Sequence, residues 1–284
     1  MLAFRTLTET PLELIHAAFI DAFSEYEVPM ELPLDRLQAM MHTRSYAAEL
    51  SLGCFDDDQL VGFVLVGARR DGAGMLRTYD VATGVIRAYQ KQKIGSQLLT
   101  QLMPMLTQAG AASFQLEVLE HNLAAQKLYT AHGFTQTRQF HCYRTAIIPR
   151  MDAGTGVVWR ADPTVLAAVV ESTYASFAPS WQYALASYHR MAATCHVVSA
   201  HDGPTMMAYG IIDGASIMQI GILPAYRTPQ VFAAVLARLA HASAQTHLRM
   251  INVEAASWID QQVQAMGWEH MISQYEMVKV LPTT

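Results

Sequence analysis

Leu116-Glu117-Val118-Leu119-Glu120-His121-Asn122-Leu123-Ala124-Ala125-Gln126-Lys127-Leu128-Tyr129, followed by Gly133-Phe134, decides the fold of the first half of this 284-residue chain. Phe114 to Leu119 predicts a strand. Asn122 to His132 predicts a helix, which Asn122 can cap through its side-chain oxygen and Gly133 can end through the left-handed conformation that glycine tolerates. Asn122 and Tyr129 are seven residues apart, two helical turns, so both fall on one face.

Upstream, Lys93 to Gln108 predicts the clearest helix: Ile94, Leu98, Leu102 and Met105 share one face, and Gly110 follows as a stop. The strand predicted over Met75 to Ile86 runs into its start through Arg87 to Gln92. Unpaired N–H groups and the positive end of the macrodipole make such a helix start an anion site. Gly95 permits close approach, and Lys91 and Lys93 add charge. Further back lie strands over Leu50–Phe55 and Gln59–Ala68, an amphipathic helix over Pro11–Phe23 and a short helix over Leu34–Met41.

The second half repeats this order. Ile222-Leu223-Pro224-Ala225-Tyr226-Arg227 echoes Val85-Ile86-Arg87-Ala88-Tyr89-Gln90, a helix over Gln230–Ala244 follows, and Met266-Gly267-Trp268 echoes His132-Gly133-Phe134. Proline and two glycines punctuate Ile148 to Gly156. The expected organisation is therefore a domain over 1–148, a linker over 149–156 and a second copy over 157–284.

Two motifs resemble the GCN5-related N-acetyltransferase (GNAT) superfamily. Leu116-Glu117-Val118, Asn122, Ala125-x-x-Leu128-Tyr129 and Gly133-Phe134 match its strand–helix signature. Val85, Tyr89, Gln90, Ile94, Gly95, Leu98 and Leu99 match its acyl-CoA motif, Val-x-Pro-x-Tyr-Arg-Gly-x-Gly-Ile-Gly-x-x-Leu-Leu. The chain departs from that motif at Arg87 for proline and at Lys91 and Lys93 for glycine. The resemblance implies an α/β (α+β) fold of two tandem GNAT-like domains, each a mixed, mostly antiparallel central sheet flanked by helices. It covers the second half more weakly.

The resemblance also implies roles. Acetyl-CoA would be held by Val85, Ile86, Gln90, Lys91, Gln92, Lys93, Ile94, Gly95, Ser96, Asn122 and Tyr129. Glu117 would be the general base and Tyr129 the general acid, with Asp80 a second candidate base. The strand end at Gly84-Val85 would offer N–H groups to the thioester oxygen. Tyr26, Glu27, Tyr79 and Asp80 would contact the amine acceptor. Acidic groups crowd that region: Asp21, Glu25, Glu27 and Glu31. In the second half Asn252 stands opposite Glu117, Val263 opposite Tyr129, Ala256 opposite Asn122, and Thr228, Pro229, Gln230 and Phe232 opposite Lys91, Gln92, Lys93 and Gly95. That copy is expected to be non-catalytic, closing the acceptor pocket or making a homodimer contact.

Composition fits a soluble globular chain, 52% hydrophobic and 15% charged. Net charge is −5, with both halves acidic, which argues against nucleic acid as partner. Three scattered cysteines fit a reducing compartment. No apolar run is long enough to span a membrane, no signal segment is read and no metal-ligand cluster is evident, so a cytoplasmic protein without a metal is expected. The favoured activity is acetyl transfer to a primary amine, in a small molecule or a peptide, by direct attack in a ternary complex. A non-catalytic acyl-CoA-binding or sensing protein is the alternative.

Overall fold

A computed structural model describes residues 1–25, 32–146, 157–191 and 193–282. The linker expected at 149–156 and the acceptor residues Tyr26 and Glu27 lie outside the described residues. The chain divides into two compact units, Met1–Thr137 with Glu276–Thr284, and Arg138–Tyr275. These units cut across the sequence halves, since each takes in a strand segment from the other half.

The first unit contains β1 (Leu2–Thr6), α1 (Leu12–Ala22), α2 (Leu34–Thr43), β2 (Leu52–Asp56), β3 (Gln59–Arg70), β4 (Leu76–Val85), α3 (Ile94–Gln108), β5 (Ala111–Leu119) and α4 (Leu123–Ala131), and the start of β6 (Thr135–Thr145). The strands run in the order β1-β2-β3-β4-β5. All neighbouring pairs are antiparallel except β4 and β5, which are parallel. The C-terminal residues add to β5, where Leu281 N–H donates to the Ala112 carbonyl at 3.0 Å. The run Leu60 to Ala68 alternates no polar residue and is buried almost throughout, as a strand covered on both faces requires. α3 packs on it: a β-carbon on Gly62 would come within 2.8 Å of Ile94 Cγ2. Ile94, Leu98, Leu99, Leu102 and Leu106 are all buried, each contributing about 1.5–3 kcal/mol by leaving water.

The second unit contains the rest of β6, then β7 (Val158–Arg160), α5 (Glu171–Tyr174), α6 (Leu185–Met191), β8 (Cys195–Asp202), β9 (Thr205–Asp213), β10 (Ser216–Ile222), α7 (Pro229–Ala242), β11 (Leu248–Glu254), α8 (Trp258–Ala265) and most of β12 (Glu269–Val280). Its strands run β6-β11-β10-β9-β8-β7. Again one neighbouring pair is parallel, β10 with β11, while the others are antiparallel. A single apolar cluster including Phe232, Val235, Leu236, Leu239, Ile259 and Trp268 packs α7 and α8 on this sheet. Both units are thus mixed, mostly antiparallel sheets flanked by helices.

Leu102 is fully buried in the middle of α3. Leu102→Ala should cost about 2–5 kcal/mol of unfolding free energy, read from the denaturant midpoint at unchanged slope. A loss under ~1 kcal/mol would mean that α3 is not the support of this sheet.

Candidate active site

In the first unit the parallel ladder stops early. β4 pairs with β5 from Leu76↔Ala111 to Tyr79↔Gln115, yet β4 continues to Val85 and β5 to Leu119. The two strands part over their C-terminal ends, the place where open α/β sheets bind ligands. On its other edge β4 stays paired with β3, but the register slips between Leu65↔Ala82 and Val66↔Asp80. Val81 is the extra residue of a bulge, and such a bulge re-aims side chains. It shifts the two-residue alternation by one, so that Asp80 and Thr83 face the same way. The Arg44 guanidinium donates to the Val81 carbonyl at 3.0 Å and props this bend.

Two hydrogen-bonded groups form there. The Tyr79 hydroxyl donates to Glu117 Oε2, joining β4 to β5 two residues past the last ladder pair. Asp80 Oδ2 accepts from Thr83 Oγ1 at 2.7 Å and from the Tyr129 hydroxyl at 3.1 Å, joining β4 to α4. Tyr129 is oriented further by an edge-on contact with Phe134, 5.5 Å between centroids. Burial pushes the Tyr79 phenol well above its ordinary value, and the Glu117 charge adds to this. Burial likewise pushes the Asp80 carboxyl up to about 6, against the hydrogen bonds from Thr83 and Tyr129 and the charge of Arg44. Asp80 Oδ1 is buried with no hydrogen-bond partner among the described residues. The sequence singled out Tyr79, Asp80, Glu117 and Tyr129. It missed Thr83 and Arg44, whose placement depends on the bulge.

The acyl-CoA motif forms a loop. After Ile86 come a 3-10 turn, Arg87–Tyr89, and then α3. Lys91 and Lys93 have φ of 62° and 61°, the left-handed region where the family motif has glycine. Lys93 is the N-cap of α3 and makes no side-chain cap. Lys91, Gln92 and Lys93 are exposed. A β-carbon on Gly95 would meet only Leu128 Cδ2, at 3.4 Å, so packing alone does not demand glycine there. Ser96 Oγ lies 2.9 Å from Nε2 of His132, which ties the helix start to the end of α4. Gln90 donates to the Val85 carbonyl at 3.3 Å. Asn122 caps α4, accepting from Ala125 N–H at 3.1 Å.

The Arg87 departure has a local cause. Its N–H, which a proline would lack, donates to Asp21 Oδ1 at 2.6 Å, and its guanidinium lies 3.8 Å from Asp21 and 3.6 Å from Glu25. Two of the expected acceptor-side carboxylates are therefore engaged with Arg87. Tyr89 donates to Asp56 Oδ2 at 2.8 Å and pins the loop to the β2–β3 turn.

The second unit repeats the frame and changes the groups. Its parallel ladder is limited to Ser216↔Arg249 and Ile217↔Met250, with a bulge at Met218. Met218 corresponds to Val81, and Ile217 stands where Asp80 does. Asn252, opposite Glu117, donates to Ser180 Oγ at 3.1 Å. Thr228 Oγ1 accepts from Val231 N–H at 3.2 Å and so caps α7, while Pro229 brings no N–H. Arg227 donates to the Ile222 carbonyl at 3.1 Å, as Gln90 does to Val85, and also to the Ala175 carbonyl at 2.8 Å. Ala175, Phe177 and Ser180 line a small cavity of about 30 Å³ together with Ile217, Gln219 and Asn252. Ser257, not Ala256, takes the capping place of Asn122, accepting from Asp260 N–H at 3.2 Å. The one-residue difference arises because α8 is one residue shorter than α4.

Residues 12–134 match the Acetyltransferase (GNAT) family. The match covers somewhat less than half of the chain and lies wholly within the first unit. A [ribosomal protein bS18]-alanine N-acetyltransferase of Haemophilus ducreyi is 33% identical over 90 residues, 32% of this chain, and the match spans 59% of that relative's length. A GCN5-related N-acetyltransferase from Sphaerobacter thermophilus superposes with a TM-score of 0.71 at 10% identity, over 100% of this chain and 97% of its own. A tandem GNAT protein from the clavulanic acid biosynthesis pathway does so with a TM-score of 0.69 at 13% identity, over 100% of both chains. Both structural likenesses are of fold, and the second extends it to the tandem arrangement. Among the described residues no group of three or more histidine, cysteine or acidic side chains could hold a metal, and no helix is long and apolar enough to cross a membrane.

The raised Asp80 value has a consequence for stability. Between pH ~4, the ordinary carboxylate range, and about 6, folded Asp80 keeps a proton that the unfolded chain has lost. Stabilisation that is full below the unfolded value is lost as pH rises through the folded one. Asp80→Asn, which does not titrate, should therefore gain on the wild type across that window, by ~2–3 kcal/mol at pH 8 relative to pH 4. Urea unfolding of both proteins at pH 4, 6 and 8 measures it; a difference independent of pH would contradict the assignment.

Proposed function

We propose that the first unit is an acetyl-CoA-dependent N-acetyltransferase acting on a primary amine, and that the second unit does not turn over acyl-CoA. The observation that carries this reading is the meeting of two carboxylates and two phenols at the parting of β4 and β5, beside an uncapped helix start.

The loop suits a phosphate-bearing donor. The first N–H groups of α3 have no intrahelical partners, the macrodipole favours negative charge, and Lys91 and Lys93 keep the left-handed turn that presents them. Gly95 leaves room for close approach. Residues Gln90 to Ser96 would therefore hold the pyrophosphate, and acetyl-CoA would supply the activated acetyl group.

Glu117 is the better base of the two carboxylates. It is only half-buried, whereas Asp80 Oδ2 is already held by Thr83 and Tyr129 and the side chain is almost fully enclosed. Tyr79 fixes one Glu117 oxygen. Glu117 then takes a proton from the attacking amine, directly or through water. Tyr129 returns a proton to the departing thiolate. β4 backbone N–H groups beyond Tyr79, no longer engaged with β5, can donate to the thioester oxygen. The Haemophilus ducreyi relative, an alanine N-acetyltransferase of a ribosomal protein, makes a peptide N-terminus the first acceptor to try.

A thiol-release assay over free amines and peptides should show turnover that falls by roughly 10²-fold or more in Tyr129→Phe and in Glu117→Gln. Tight acetyl-CoA binding without turnover on any amine would favour the binding-protein alternative.

Calorimetry should find one acetyl-CoA per chain, and Lys91→Ala with Lys93→Ala should weaken that binding more at low than at high salt. Two equivalent sites would overturn the assignment of the second unit.

A further inference from the structure

A hydroxyl carries one hydrogen, and that of Tyr129 points at Asp80 Oδ2. Thr83 donates to the same oxygen from within β4. Both side chains of the Asp80–Tyr129 pair are less than a tenth exposed, so water does not screen one from the other. A full negative charge at this distance in a buried site favours the protonated phenol strongly, while a neutral carboxyl does not. The other charged or titratable groups acting on Asp80 are Arg44, whose charge favours its ionised form, and Tyr79, which carries Glu117 on its own hydroxyl.

We propose that Asp80 is a positioning residue that, steadied by Thr83, aims the Tyr129 phenol and sets its acidity through its own protonation state. The inference rests on the reading of Tyr129 as proton donor and adds what governs it. With Asp80 neutral and its hydrogen on Oδ2, the bond reverses and the carboxyl donates to the Tyr129 oxygen; Tyr129 then passes its freed hydroxyl hydrogen to the leaving sulfur as the phenolate oxygen takes the hydrogen of the Asp80 carboxyl. One S–H bond forms, two O–H bonds break and one O–H bond re-forms. Asp80 is left ionised and takes a proton from solvent before the next cycle. With Asp80 already ionised, the phenol holds its proton and the step slows.

The test uses the full chain without ligand, labelled with 13Cζ-tyrosine, the Tyr129 resonance being identified by its loss in Tyr129→Phe. In the wild type that resonance should show a titration step with a midpoint near the Asp80 value of about 6. The step should vanish in Asp80→Asn. In Thr83→Val, which loses a hydrogen bond favouring the ionised form, its midpoint should move to higher pH. A Tyr129 resonance flat from pH 5 to about 7.5, or a step that survives Asp80→Asn, overturns the proposal. Should Asp80→Asn fail to give a dispersed spectrum, the direction of the Thr83→Val shift decides by itself. Where turnover is found, the alkaline fall of kcat should follow the same midpoints in the wild type and in Thr83→Val. Absence of turnover on every amine would count against the catalytic reading and leave the titration result to judge this one.

Discussion

The end of the β4–β5 ladder at Tyr79↔Gln115 is the constraint on which the site depends. A parallel pair held to its full length would bury its backbone groups and leave no opening. The bulge at Val81 prevents this by adding a residue to β4 while β3 keeps its own count. The strand bends, and Tyr79 and Asp80, neighbours in sequence, each find a partner on a different element. A bend of this kind needs its freed carbonyl satisfied, since an unpaired buried C=O is costly; Arg44 does this for Val81. The close seat of α1 at the far end of β4 depends on Gly84, where a β-carbon would lie 2.9 Å from that of Ala22 and 2.6 Å from Phe63 Cζ.

Electrostatics within the opening follow from burial more than from ion pairing. Among the described residues Asp80 has no cation at hydrogen-bond distance, only hydroxyl donors and the more distant Arg44. Hydroxyls stabilise a carboxylate less than the water they replace, and the charge is therefore held back to a pH closer to neutrality. At the surface the balance is reversed: Asp56 and Asp71 sit below the ordinary carboxylate range, the first drawn down mainly by the Tyr89 hydroxyl and the second by Arg77. One residue type thus does structural work where water reaches it and becomes titratable near neutral pH where water does not.

Much of this was legible in the sequence because it is local. The cap at Asn122, the stop at Gly133 and the apolar face of α3 are encoded within a few residues of where they act, and they fell at or within a residue of the expected places. The glycine-to-lysine departures at Lys91 and Lys93 were visible as well; that the backbone stays left-handed despite two β-carbons was not, since side-chain identity does not fix φ where the surrounding loop over-determines it. The bulge left no mark: Tyr79-Asp80-Val81-Ala82-Thr83 reads as an unbroken strand, and Thr83 could not be chosen as a partner of Asp80 without knowing that the alternation slips between them. The exchange of strand segments between units was equally hidden, because period-two patterning shows that a strand exists but not which strand it joins.

The second unit separates what the fold requires from what the chemistry requires. It keeps the short parallel ladder, the bulge at Met218, the arginine at the Gln90 position bonded to the equivalent carbonyl, and a tyrosine–aspartate contact, Tyr226 to Asp202 at 3.2 Å, matching Tyr89 to Asp56. These features persist where the positions of Asp80, Glu117 and Tyr129 carry isoleucine, asparagine and valine, and so they belong to the scaffold. What the first unit has in addition is a different kind of feature: a buried carboxylate with an unsatisfied oxygen at Asp80, a second acid at Glu117, and two lysines in a left-handed backbone at the start of α3. The unsatisfied oxygen of Asp80 and the left-handed lysines are unfavourable for stability, by about 1–3 kcal/mol for a strained or unsatisfied group, and the second unit folds on the same frame with isoleucine at the Asp80 position and a capped helix start, though its own Asn252 is left-handed. Features that a fold can dispense with, and that weaken it when present, are expected where function is being served. In this chain they converge on one opening in one unit, and that convergence weighs more for the assignment of the site than the presence of the fold, which both units share.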